Sequence, residues 1–135
     1  MASGLNQAAP TISTHVLDTE LGTPAVGVHV TLYRLSDDGR PLRLTQALTD
    51  HDGRVGDLLE RPLVVGDYRL EFNLASHRGE PFAADGDAAD PADADPQVAR
   101  FFRRISIDIR VADAASSYHV PLLLSPFSLT SYRGS

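Results

Sequence analysis

Five histidines are spread along this 135-residue chain, and one of them stands out by its position. Residues 118–124, YHVPLLL, read as a β-strand. A strand sends alternate side chains to opposite faces. Tyr118, Val120, Leu122 and Leu124 then share a face suited to a core, and His119, Pro121 and Leu123 share the other. An imidazole with a pKa near about 6.5 can accept and donate a proton near neutral pH, so His119 is a candidate for general acid–base work. Its segment also holds Tyr132-Arg133-Gly134-Ser135, where the sequence ends. The end is expected to lie in an ordered element and to complete a site, although most chain ends fray. Histidines this far apart could meet at a zinc ion, but there is no H-x-x-x-H or H-E-x-x-H spacing and no cysteine. No metal is expected.

Taken one at a time, the other reactive residues leave plainer readings open. His15 suits a half-exposed polar position on a strand over residues 11–17. Arg54, following an Asp-Gly turn, suits the surface. His119 also fits a buried histidine with its hydrogen bonds satisfied. The terminal Arg-Gly-Ser fits a plain tail. His29, His51 and His77 read as surface or structural residues.

The segments around these residues form a series of short strands separated by turns. Residues 11–17 alternate, with Thr11, Ser13, His15 and Leu17 on one side and Ile12, Thr14 and Val16 on the other. Residues 26–35 form the clearest strand, with Val26, Val28, Val30 and Leu32 on one side. Asp37-Asp38-Gly39 with Pro41 marks a turn. Residues 42–49 continue as a strand, and Asp50-His51-Asp52-Gly53 turns the chain in hairpin style to deliver Arg54 at the start of a short strand. Residues 68–74 and 103–111 alternate well, and after residues 118–124 the pair Ser125-Pro126 breaks the chain before a strand at residues 127–133.

Residues 83–96 contain five Asp, six Ala, one Gly and two Pro, so no hydrophobic face can form there. They read as an acidic disordered insertion, without the ligand spacing of a calcium loop. Residues 1–10 read as a flexible arm, and residues 11–135 as one domain. The spacing of the strands predicts an all-β fold, a β-sandwich of two antiparallel sheets.

Composition limits the partners. The formal charge of −6 argues against nucleic acid, which demands a basic face. No stretch approaches the roughly 18 apolar residues of a membrane span. The N-terminus has neither the basic region nor the apolar run of a secretory signal. With no cysteine in the chain, a reducing cytoplasm is the expected location.

Three segments carry a family resemblance: ISTHVLDTELGTPAVGVHVTLYRL near the N-terminus, TDHDGRV at residues 49–55, and HVPLLLSP with the terminal YRGS. They resemble the signatures of the transthyretin-related proteins, the 5-hydroxyisourate hydrolases, over most of the chain outside residues 76–100. The resemblance implies a transthyretin-like (prealbumin-like) β-sandwich with one short helix, and residues 97–102 are the segment that could hold a remnant of it. It also implies a homotetramer with sites at the dimer–dimer interface and no cofactor. Ser117 stands where family members often have His, and Ser128-Leu129 where they often have Gly-Tyr.

By that resemblance the catalytic residues are His15, Arg54, His119 and Ser135. The substrate-binding residues are His15, Arg54, Tyr132, Arg133, Gly134 and Ser135. The implied reaction opens the N1–C6 amide of 5-hydroxyisourate. One imidazole would deprotonate water while the other positions water or returns a proton, in either order. The Arg54 guanidinium would hold urate-like oxygens and the developing oxyanion. The alternative is a transthyretin-like carrier that binds a small ligand without catalysis. Transthyretin itself lacks both histidines and the YRGS end, and this chain has them all.

Overall fold

The computed structural model describes residues 9–75 and 101–134. Nine strands run through them: β1 (Ile12–Asp18), β2 (Thr23–Pro24), β3 (His29–Leu35), β4 (Pro41–Leu48), β5 (Arg54–Val55), β6 (Gly66–Asn73), β7 (Arg104–Val111), β8 (Tyr118–Leu124) and β9 (Leu129–Ser131). One sheet has the order β2-β1-β8-β9, with β5 also paired to β1; the other has the order β4-β3-β6-β7. The expected β-sandwich is therefore present.

Alternation in the sequence explains which faces meet. Ile12 and Val16 of β1 and Val120, Leu122 and Leu124 of β8 are buried. Val30 and Leu32 of β3 and Tyr68, Leu70 and Phe72 of β6 are buried with them in one cluster. Each large apolar side chain removed from water contributes about 1.5–3 kcal/mol, so the inward set dictates which way every strand faces. Thr14 is a polar member of that set, and its hydroxyl donates to the Val120 carbonyl at 2.6 Å. The residues between these positions, Ser13, His15 and Leu17 on β1 and His119 and Leu123 on β8, are only half-buried. Core packing thus turns both candidate histidines to the outer face of one sheet.

The structure corrects several details of the sequence reading. The sheet that carries the histidines is mixed: β1 runs parallel to β8, from Ile12↔Tyr118 to Asp18↔Leu124. These strands lie at opposite ends of the chain, so no hairpin forces them antiparallel. The strand expected from residue 26 begins at His29, because Gly27 turns with φ +78° and Val26 is left exposed. The strand expected over 127–133 is shortened to β9, because residues 125–128 close a turn in which Ser125 N–H donates to the Ser128 carbonyl at 3.0 Å. β2 is too short to show a pattern in the sequence; its two residues fold back onto Leu17 and Asp18. The acidic segment 83–96, His77 and Ser135 lie outside the described residues, as does most of the expected helical remnant; Phe101 and Phe102 are not helical. Among the described residues, no helix is long and apolar enough to cross a membrane.

Candidate active site

Two rows of residues cross the outer face of the β5-β1-β8 sheet. In the first, Arg54 of β5 is the direct partner of His15 on β1, and His15 is the direct partner of Pro121 on β8. In the second, Ser13 of β1 is the direct partner of His119 on β8, and His119 bridges to Gly134 at the chain end. Neighbouring strands are spaced about 4.8 Å apart, so register alone gathers Arg54, His15, His119 and Gly134 into one patch. Residues separated by more than a hundred positions become neighbours through β1–β8 pairing.

Arg54 is delivered by the turn that the sequence marks. The Asp50 carboxylate accepts the backbone N–H groups of Asp52 at 2.9 Å and Arg54 at 3.0 Å. The Asp50 N–H donates to the Arg54 carbonyl at 3.0 Å, and the Gly53 N–H to the Asp50 carbonyl at 2.9 Å. The two N–H bonds to the carboxylate, that from Arg54 first and that from Asp52 next, hold the Asp50 carboxyl below the usual carboxylate range. The turn then docks on β1, where Val16 N–H donates to the Gly53 carbonyl at 2.7 Å. Gly53 has φ +76°, and a Cβ there would overlap the Val16 carbonyl oxygen. Val55 points into the core, which leaves Arg54 on the exposed face beside His15.

His119 is held on two sides. Its Nδ1 lies 2.8 Å from the Ser13 hydroxyl oxygen. Its ring edge lies over Gly134, where an added Cβ would stand 2.6 Å from His119 Cδ2. The Gly134 N–H donates to the His119 carbonyl at 2.7 Å, pinning the chain end to β8. The pairing of β8 with β9 ends at Leu122–Ser131 and resumes only at this bridge. The gap coincides with Pro121, which has no N–H to give; Ser131 hydroxyl instead donates to the Pro121 carbonyl at 2.8 Å. With Nδ1 engaged, Nε2 is the ring nitrogen without a partner among the described residues. Burial pushes the His119 pKa down, and the nearby His15 and Arg54 push it the same way. The ring is therefore neutral, and able to take a proton, over a wider range than an ordinary histidine.

The terminal residues divide between the two faces of β8. Gly134 stands beside His119, whereas the Arg133 guanidinium stacks over the Tyr118 ring, 4.2 Å from its centre, and reaches the Ser117 carbonyl at 3.5 Å. Arg133 and the exposed Tyr132 line a cleft of about 360 Å³ between Tyr118 and Val120 of β8 and Ile107 and Ile109 of β7. That cleft opens on the core side of β8, away from the face that carries His119, so it is not where the histidines act.

The other histidines stand apart. His51 is exposed and pairs with Asp52 at 3.3 Å. Among the described residues, Asp50, His51 and Asp52 are the group whose ligand atoms could reach one ion, but all three are exposed and the Asp50 carboxylate is already occupied by the turn. His29 is partly buried at the start of β3, in the opposite sheet. Sequence reasoning put Ser13 on the same side as His15 but gave it no role. The face was readable from alternation; its pairing with His119 was not, because it depends on the β1–β8 register.

The sequence model of the HIUase/Transthyretin family matches residues 12–134. The chain is 44% identical over 127 residues to 5-hydroxyisourate hydrolase 2 of Rhizobium meliloti, covering 92% of this chain and 95% of the relative. It is 41% identical over 128 residues to the 5-hydroxyisourate hydrolase of Deinococcus radiodurans, covering 93% and 97%. Among solved structures, it is similar to the 5-hydroxyisourate hydrolase of Klebsiella pneumoniae, with a TM-score of 0.68, 29% identity, and 93% and 99% of the two chains covered. Transthyretin from Sparus aurata shares the fold, with a TM-score of 0.72 at 23% identity over 94% of this chain and 97% of that one.

Proposed function

The chain belongs to the HIUase/Transthyretin family, and on that premise we propose that it is a 5-hydroxyisourate hydrolase acting through the outer face of the β5-β1-β8 sheet. It is a cyclic-amide hydrolase of urate degradation. Water adds to C6 of 5-hydroxyisourate, the C6–N1 bond breaks, and N1 takes a proton. The product is 2-oxo-4-hydroxy-4-carboxy-5-ureidoimidazoline. The observation that carries the site assignment is the pairing of His15 with Arg54, one strand away from a half-buried His119 whose proton affinity is lowered.

In this reading His119 Nε2 takes the proton from water, because burial and its neighbours keep the ring neutral. His15 positions the water or returns the proton to N1. Arg54 presents its fork of donors to the substrate oxygens and to the charge that develops on the C6 oxygen. Gly134 stands against the His119 ring, and Ser135, the next residue of the YRGS motif, is assigned to the same catalytic set. Arg133 serves substrate binding by anchoring that segment through its stack on Tyr118, and the exposed Tyr132 beside it completes the substrate-binding set.

A flat sheet face excludes little water, and amide hydrolysis gains from a closed site. The same face carries Pro121 and Leu123 between the polar residues. These features support a homotetramer in which a second pair of subunits covers the face, with the sites at the dimer–dimer interface. The absence of cysteine supports a cytoplasmic enzyme.

The test is optical. Urate oxidase generates 5-hydroxyisourate in the cuvette, and its ultraviolet absorbance is followed with and without the protein. Accelerated decay is expected, from a species that light scattering measures as a tetramer. Decay at the spontaneous rate would leave a ligand carrier as the better reading, and a fully active monomer would overturn the interface site.

A further inference from the structure

The hydrogen bond between Ser13 and His119 has a chemical consequence that rests on the hydrolase reading. The two residues are direct partners in the β1–β8 register, so the contact is built into the sheet rather than into a mobile loop. Ser13 Oγ is 2.8 Å from His119 Nδ1 in a part-buried setting. On the other side, the bare α-carbon of Gly134 confines the ring at Cδ2, the atom next to Nε2. The imidazole is thus held in orientation, with Nε2 free of a hydrogen-bond partner among the described residues.

We propose that Ser13 is a positioning residue for catalysis: its hydroxyl oxygen accepts Nδ1–H from His119, holding the neutral ring in the Nδ1–H tautomer with the Nε2 lone pair directed at the attacking water. A neutral imidazole carries one proton, and the hydrogen bond made by one nitrogen decides the state of the other. If the Ser13 hydroxyl instead donated to Nδ1, Nε2 would already hold the proton and could not take one from water. With Nδ1–H donating, Nε2 accepts the proton from water, and the Nδ1–H···Oγ bond survives the change from imidazole to imidazolium. Only this arrangement keeps the ring in place through the proton transfer. Ser13 itself does not touch the reacting atoms. Its part is to select the tautomer, which a histidine side chain free in water does not favour on its own.

Two readouts on the intact protein test this. Nitrogen-15 NMR of histidine-labelled protein, with the His119 signals identified by their loss in His119→Asn, reports which ring nitrogen carries the proton when the ring is neutral. The wild type is expected to show protonated Nδ1 and bare Nε2. Ser13→Ala is expected to move the population toward protonated Nε2 and to lower kcat by about tenfold or more, with KM within about twofold. Ser13→Thr keeps a hydroxyl at the same point and should restore both. A wild type with protonated Nε2, or a Ser13→Ala variant with unchanged tautomer and kcat, would overturn the proposal. If the wild type leaves 5-hydroxyisourate untouched, the hydrolase reading falls and the catalytic role of Ser13 with it; the tautomer measurement separately decides whether Ser13 sets the His119 tautomer.

Discussion

The imidazole of His119 rests against the α-carbon of Gly134, in a space that a single added methyl would fill: a Cβ at Gly134 would come within 2.6 Å of Cδ2 and 3.3 Å of Cγ of the ring. Its backbone N–H simultaneously holds the His119 carbonyl at 2.7 Å. Glycine is needed here for close approach and not for backbone conformation, since Gly134 is not among the glycines with positive φ.

Gly134→Ala therefore displaces the ring or the chain end. The variant should lose about tenfold or more in kcat/KM, because preorganised catalytic groups tolerate only about 0.5 Å of displacement. The site lies on the outer face of the sheet, so thermal unfolding should change little. Steady-state kinetics and a melting curve check this, and wild-type kinetics in the variant would mean that the contact does not matter.

The lowered pKa of His119 gives a pH dependence with a definite sign. Burial is its largest cause, followed by His15 and Arg54. The acidic limb of kcat/KM should fall below the ordinary histidine value of 6.5. The folded protein binds fewer protons at this residue than the unfolded chain does. The stability tied to it is complete above 6.5 and declines as pH drops from there through the folded-state pKa. Arg54→Gln removes one of the causes, so proton NMR titration should find the His119 pKa raised in that variant. A pKa that stays put or moves down would remove Arg54 from the neighbourhood of His119.

Gly53 tests the element that presents Arg54. Its φ of +76° and the Val16 carbonyl beside it leave no room for a side chain. Gly53→Ala should cost about 1–3 kcal/mol of stability in urea unfolding. It should also lower kcat/KM, by shifting the turn that sets Arg54 opposite His15. Undiminished stability would mean that the turn can dock on β1 in another way.

Much of the fold was legible because burial obeys alternation. Ile12 and Val16, Tyr68, Leu70 and Phe72, and Tyr118, Val120, Leu122 and Leu124 face inward as their spacing predicts. That spacing also put His15 and His119 on outward faces. What alternation does not carry is pairing. The parallel β1–β8 contact joins strands from opposite ends of the chain, and it alone brings Ser13 and His15 to His119. β5 has two residues, too few for any periodicity; the Asp-Gly turn marks where Arg54 begins it, and only the resemblance of TDHDGRV to the family gives Arg54 a role. The sequence pattern extends β9 too far because Phe127 looks like a strand residue, whereas the turn closed by Ser125 and Ser128 leaves it exposed.

The most direct measurement compares two histidine variants on the same substrate. His119→Ala removes the proposed base; His51→Ala removes an exposed imidazole on the turn that leads to Arg54. With 5-hydroxyisourate generated by urate oxidase, His119→Ala should lose about a hundredfold or more in kcat/KM, the usual scale for a missing general base. His51→Ala should match the wild type, and the melting temperatures of all three should agree closely. Equal losses in both variants, or full activity in His119→Ala, would contradict the assignment of hydrolysis to the outer face of β1, β5 and β8.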